Sequence, residues 1–101
     1  MFRQGDVLLK PTKMPSGTTL ICISAEKRVV LAEGEATGHA HAIYGKGAKL
    51  YQKDNRFFLC VVMPNVKIEH EEHDDIPLPI GDYEVVRQRE YSPEEIRNVR
   101  D

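Results

Sequence analysis

The sequence predicts an all-β protein, a small barrel or sandwich in which residues 1–101 form a single domain with a short C-terminal helix. Short apolar runs recur along the chain, and Gly, Pro, Asn and Asp separate them, as is typical of short strands joined by turns. The chain has 101 residues, of which 41% are hydrophobic and 30% charged. This length and composition suffice for one hydrophobic core without disulfide bonds.

Seven or eight short strands are predicted, which is about the number that a small barrel or sandwich needs. Their predicted ranges are 6–10, 18–24, 28–33, 39–44, 49–52, 57–63, 66–70 and 83–89. We expect 18–24 to form a hairpin with 28–33, and 49–52 to pair with 57–63. The segment 76–81 contains two prolines, so it is not expected in the middle of a sheet, because each proline lacks a backbone donor.

The C-terminal end carries a helix start signal. Ser92 is a good N-cap, Pro93 suits the first helical position and Glu95 lies three residues after the cap. We therefore predict a short helix over about 93–100.

The charge and hydrophobicity of the chain exclude some classes of function. The formal net charge is −2, which does not favour nucleic acid as the main partner. No apolar stretch approaches the roughly 20 residues that span a bilayer, and the residues after Met1 lack a signal-peptide pattern. We expect a cytoplasmic protein with no membrane partner. Cys22 and Cys60 lie in apolar runs without a C-x-x-C motif, which predicts two buried thiols.

All four histidines fall in two short segments, T-G-H-A-H at 37–41 and E-H-E-E-H-D-D at 69–75. On a strand, His39 and His41 project from the same face, while His70 is in phase with the apolar residues that precede it. Imidazole nitrogens are good ligands for zinc, iron, manganese or nickel. We therefore predict a divalent metal site formed by His39, His41, His70 and His73.

An open coordination position in such a site would hold a water of lowered pKa. The pattern then suggests metal-dependent hydrolysis, or cupin-like chemistry, on a small polar ligand. Glu71 or Glu72 is the candidate general base. Whether the protein is an enzyme stays open at this stage, and so do three alternatives. His39 and His41 could line a solvent face, 69–75 could be a solvated acidic loop, or the histidines could form a purely structural clip.

Fragments of the sequence resemble the two motifs of the cupin superfamily. They are Gly34, then His39-Ala40-His41, and later Pro79-Ile80-Gly81. Cupins are small β-barrels that bind a metal through an H-x-H pair, a Glu and a later His, so the resemblance implies a metal-binding barrel. In this sequence Glu84 stands where the last cupin histidine would be.

A longer pattern covers most of the chain. It runs from T-G-H-A-H through H-E-E-H and L-P-x-G-x-Y to Q-R-E-Y-S-P-E. In this respect the chain resembles a family of small uncharacterised bacterial or phage proteins, a resemblance that implies no activity.

A second hypothesis makes the protein a non-enzymatic binding module. Arg87, Arg89 and Tyr91 share one face of the last predicted strand. Arginine and an aromatic ring could stack on single-stranded nucleic acid or dock a partner protein. The competing interpretation is that these arginines pair with glutamates of the neighbouring strand.

Overall fold

The computed structural model describes residues 1–33 and 39–87, and these ranges contain ten β-strands and no helix. The strands are β1 (Phe2–Gln4), β2 (Val7–Pro11), β3 (Thr19–Ile23), β4 (Val29–Glu33), β5 (Ala40–Ile43), β6 (Ala48–Lys53), β7 (Arg56–Val61), β8 (Val66–Ile68), β9 (Ile76–Leu78) and β10 (Gly81–Arg87). The all-β prediction is confirmed. The predicted helix at 93–100 lies outside the described residues. Within those residues, no helix is long and apolar enough to cross a membrane.

Six strands form one antiparallel sheet in the order β1-β2-β10-β7-β6-β3. Its two outer strands, β1 and β3, do not pair with each other, so the described strands form an open sheet and not a closed barrel. The prediction missed β1 and β9, since each is a three-residue strand and β9 contains a proline.

The other four strands form two small sheets, β4-β5 and β8-β9. One pair of backbone hydrogen bonds joins them. The Ala42 N–H donates to the Glu69 carbonyl at 3.0 Å, and the Glu69 N–H donates to the Ala42 carbonyl at 2.8 Å. The end of β8 therefore lies antiparallel beside β5, which matters for the site described below.

The hydrophobic core draws side chains from both groups of strands. Leu9 and Leu59 from the six-stranded sheet lie in one buried cluster with Leu31, Ile43 and Ile68 from the smaller sheets. Burying an aliphatic side chain of this size stabilises the fold by about 1.5–3 kcal/mol. The core thus fixes β5 and β8, the strands next to both histidine segments.

The predicted hairpin between 18–24 and 28–33 is wrong. Strand β3 pairs with β6, and β4 pairs with β5. The Glu26 and Lys27 N–H groups both donate to the Ile23 carbonyl, and this turn carries the chain from one sheet to the other. Strand β4 is mostly buried and β3 mostly exposed, so the two runs belong to different layers.

The predicted pairing of 49–52 with 57–63 is confirmed by the β6–β7 hairpin. Its two-residue loop places Asp54 at φ 55°, in the left-handed region that Asp tolerates better than most residues. Local turn chemistry determines this pairing, which is why the sequence alone could predict it. The proline-containing segment forms β9, which lies in a two-stranded sheet and not in the middle of a larger one.

Both cysteines are half-buried free thiols. Burial, followed by a hydrogen bond with Asp82, raises the pKa of Cys60 to about 11 from an ordinary value of 9.0. In a Cys22→Ala variant, which leaves one thiol, we expect alkylation by iodoacetamide at pH 8 to be about 100-fold slower than in urea-unfolded protein, since only the thiolate reacts. A rate profile against pH measures the pKa directly. A midpoint near 9 in the folded protein would contradict this account.

Candidate metal site

The two histidine segments lie side by side because of the Ala42–Glu69 backbone pair. Continuing that antiparallel register by one residue places His41 opposite His70, and a further residue places Ala40 opposite Glu71. The Ala40 N–H donates to a Glu71 carboxylate oxygen at 3.0 Å, so a side-chain contact also joins the two segments beyond the Ala42–Glu69 pair. Backbone pairing between distant parts of the chain thus assembles the site.

The four imidazole rings form one cluster. The His41 and His70 ring centroids are 4.2 Å apart, and those of His70 and His73 are 4.7 Å apart. His39 lies 5.8 Å from His70, and His73 lies 5.8 Å from His41. His70 is therefore the central member, in contact with each of the other three rings.

Three side chains place ligand atoms within 4.8 Å of one another: His39, His70 and Glu71. We call them the outer group. His39 and His70 are half-buried and Glu71 is exposed, so solvent reaches all three. In the described part of the chain, His41 and His73 do not join a set of three ligand atoms this close together.

Glu72 contacts both histidines of the outer group. Its carboxylate lies 3.2 Å from Nδ1 of His39, and its backbone N–H donates to Nδ1 of His70 at 3.0 Å. When a carboxylate accepts a hydrogen bond from the Nδ1–H of a neutral histidine, the other ring nitrogen, Nε2, has no proton and its lone pair is free for a metal. The contact with Glu72 thus prepares His39 as a ligand. In neutral His70, by contrast, the ring proton must lie on Nε2.

His41 is the buried histidine, with 3% of its surface exposed. Its Nδ1 lies 2.9 Å from Oε1 of Gln4, and its Nε2 lies 3.6 Å from a carboxylate oxygen of Asp6. Burial lowers the pKa of His41, and nearby His70 lowers it further, while Asp6 opposes the shift. The interpretation of His41 as a residue of a solvent face is wrong, because β5 is buried on both faces.

Glycine is required at position 5, in the turn between β1 and β2. Its φ is +60°, and an added Cβ would lie 2.9 Å from Nε2 of His73 and 3.1 Å from Cε1 of His41. A side chain here would therefore be strained by the backbone conformation and would crowd both imidazoles, which favours glycine in this turn.

Glu71 and Glu72 are the residues that we predict as general bases, and nothing tests that role. The Ala40 N–H lowers the pKa of Glu71, so its carboxylate stays ionised and is a weaker base than an ordinary glutamate. This environment suits a ligand better than a proton acceptor.

A surface cavity of about 340 Å³ adjoins the outer group and shares His70 and Glu71 with it. Tyr44, Glu69 and Asp75 complete its lining. The cavity is therefore acidic and open to solvent, and it leads to the ligand atoms of the outer group.

Arg87 is the one residue of the arginine face that the structure describes, and both Arg87 and the nearby Arg56 make hydrogen bonds within the protein. Arg56 forms two hydrogen bonds of 3.1 Å with Glu84 of the neighbouring strand, and these bonds lower the pKa of that carboxyl. Arg87 donates from Nε to the Leu31 carbonyl at 3.3 Å. Arg89 and Tyr91 lie outside the described residues. Nucleic-acid or partner binding at this face stays a prediction.

Residues 3–88 match a family described as a domain of unknown function, DUF8820. The chain belongs to that family. The match to this DUF8820 domain agrees with the predicted resemblance to an uncharacterised family, whereas nothing supports the resemblance to cupins. Neither the curated proteins nor the solved structures contain a match to the chain.

The sequence predicts no role at the site for Gln4, Gly5 or Asp6. The only local signal is a glycine between two polar residues, which is common in turns. Their place beside His41 follows from the packing of the β1–β2 turn, and no pattern in the sequence predicts that contact.

Proposed function

We propose that this protein binds a divalent first-row transition metal ion through His39, His70 and Glu71. The observation that carries the proposal is the closeness of their ligand atoms, all within 4.8 Å. Two imidazoles and one carboxylate form a ligand set that suits zinc, iron and manganese. The proposal keeps two of the four predicted histidine ligands and adds Glu71.

To coordinate an ion, the outer group needs a small inward movement and the loss of the Glu72 N–H hydrogen bond to Nδ1 of His70. Four ligands about 2.0–2.1 Å from zinc lie roughly 3.3 Å from one another. The present spacing of up to 4.8 Å closes to that value if the exposed Glu71 side chain and the His39 ring rotate inward. Glu71 keeps one carboxylate oxygen on the Ala40 N–H and offers the other to the ion.

Three protein ligands leave at least one coordination position for water or a ligand. The adjoining cavity gives access to that position, and its carboxylates repel anions. A neutral or cationic small polar molecule is therefore the ligand class that this site favours. A metal-bound water at the open position would supply hydrolytic or Lewis-acid chemistry.

Zinc uptake by protein without a His tag tests the proposal. We expect chelator-treated wild type to bind zinc, and 100-fold excess of free zinc over Kd to stabilise it by about 2.7 kcal/mol. Binding at either nitrogen of His70 removes the acceptor of the Glu72 N–H, since a ring with metal on Nε2 carries its proton on Nδ1. The Glu72 amide resonance should therefore shift on zinc addition.

The matched pair of variants for this experiment is Glu71→Gln and Glu26→Gln. Both remove one exposed carboxylate, but Glu26 lies in the turn after β3, outside the site. We expect only Glu71→Gln to weaken zinc binding, by at least about tenfold, because it replaces a proposed ligand. Equal zinc affinity in both variants, or no zinc in the wild type, would refute the proposed ligand set.

A further inference from the structure

Gln4, at the end of β1, is buried and makes three hydrogen bonds. Its Nε2 donates to the Ile68 carbonyl at 3.1 Å and to the Asp74 carbonyl at 2.8 Å. Both partners are carbonyl oxygens, which only accept, so the NH₂ group of Gln4 must face them. This fixes the orientation of the amide, and its Oε1 must face His41.

That orientation determines which nitrogen of His41 carries the proton. Oε1 of Gln4 accepts only, so Nδ1 of His41, 2.9 Å away, must donate to it. In the neutral ring Nε2 therefore has no proton and presents its lone pair. A metal-binding histidine has the same arrangement. One ring nitrogen donates a hydrogen bond to an acceptor, and the other ring nitrogen binds the metal.

Nε2 of His41 faces a carboxylate. An oxygen of Asp6 lies 3.6 Å from it, close to the roughly 3.3 Å that separates two ligands of one zinc ion. A cation or a donated proton between these two atoms would stabilise them at this spacing. His73 lies next to the same turn, its Nε2 2.9 Å from the point where a Cβ of Gly5 would be.

We propose that His41 and Asp6, with His73 beside them, form a second metal position, and that Gln4 holds His41 ready for it. We call these three residues the inner group. The proposal rests on the proposed function, because the second ion would lie next to the first. The His41 and His70 rings are only 4.2 Å apart, so the outer and inner groups are neighbours. Paired metal ions typically lie about 3.5–4 Å apart and bind one substrate between them.

Zinc stoichiometry in two ligand variants tests the second position. We expect about two zinc ions per chain in the wild type, as in other two-metal centres, and about one in Asp6→Asn and in Glu71→Gln. Asp54→Asn is the matched control for Asp6→Asn, since it removes an exposed turn carboxylate elsewhere and asparagine tolerates the φ of 55° there. We expect that control to bind as much zinc as the wild type.

The outcomes separate this inference from the proposed function. One ion that Glu71→Gln loses and Asp6→Asn keeps would overturn the inner position and support the outer one. One ion that Asp6→Asn loses and Glu71→Gln keeps would support the inner group and refute the proposed outer ligands. A wild type that binds no zinc would overturn both proposals.

The role of Gln4 has a test that needs no substitution and no metal. A long-range ¹H–¹⁵N spectrum of chelator-treated wild type identifies the protonated nitrogen of each histidine. We expect His41 to carry its proton on Nδ1. A proton on Nε2 would overturn the positioning role. Gln4→Glu adds a second measurement, in which we expect about 10–100-fold weaker binding of the ion that Asp6→Asn loses, the usual cost of an altered outer-shell partner.

Discussion

His70→Ala is expected to weaken zinc binding strongly at the proposed outer position. His70 is a proposed ligand, and its ring contacts the other three imidazoles. A structural zinc site with four ligands contributes about 10–16 kcal/mol, so one ligand is worth about 2.5–4 kcal/mol. A loss of that size weakens binding by about 100- to 1000-fold. Competition with a chelator of known affinity measures the change.

Lys67→Ala is the control for His70→Ala. Lys67 lies on β8, three residues before His70, and its ammonium group forms an exposed ion pair with Asp75 at 3.1 Å. Exposed pairs of this kind contribute at most about 1 kcal/mol, so we expect unchanged zinc affinity. Circular dichroism establishes that both variants are folded. Wild-type zinc affinity in folded His70→Ala would contradict the proposed ligand set.

Ile68→Ala is expected to destabilise the protein by about 2–5 kcal/mol, the usual cost of removing a buried isoleucine side chain down to Cβ. Ile68 is fully buried in the core cluster, and its carbonyl accepts a hydrogen bond from Gln4. Its side chain thus fixes the end of β8 next to the histidine cluster. Urea unfolding of chelator-treated protein measures the free energy of unfolding without a contribution from metal.

Ile80→Ala removes the same atoms from a side chain that is 61% exposed. Little apolar surface is lost there, so we expect a change below about 1 kcal/mol. Equal effects of the two substitutions would mean that Ile68 does not anchor the site through the core.

Short-range signals in the sequence correctly predicted the β6–β7 hairpin and the position of the proline-containing segment. The β6–β7 hairpin follows from two alternating runs joined by Asp54-Asn55, whose conformational preferences favour the turn. The prolines at 77 and 79 correctly excluded that segment from the middle of the large sheet. The hairpin proposed across residues 25–27 failed. Proximity in sequence favoured it, but the burial of β4 and the exposure of β3 assign the two strands to different sheets.

At the candidate site, too, local sequence predicted the residue types, while contacts between distant segments were not predictable. Sequence identified the histidines and the acidic residues next to them, because these residue types are the usual metal ligands. It also assigned His41 to a ligand set with His39. In the structure all four rings lie in one cluster, in which ligand atoms of His39, His70 and Glu71 lie within 4.8 Å of one another and His41 contacts Gln4 and Asp6. Residues four to six are more than 30 positions from His41 in the chain, so no local pattern reports their contact.

The sequence by itself determined that this is an all-β protein and that its histidines occur in two segments, since strand formation and residue identity are local properties. Only the tertiary structure decided that the segments meet, which histidine is buried and which nitrogen of His41 is left free. These depend on one backbone pairing, between Ala42 and Glu69, and on the packing of the β1–β2 turn against it. The pairing of distant strands depends on the free energy of burying the whole core. Many side chains contribute to that free energy, so no single segment of the sequence predicts it.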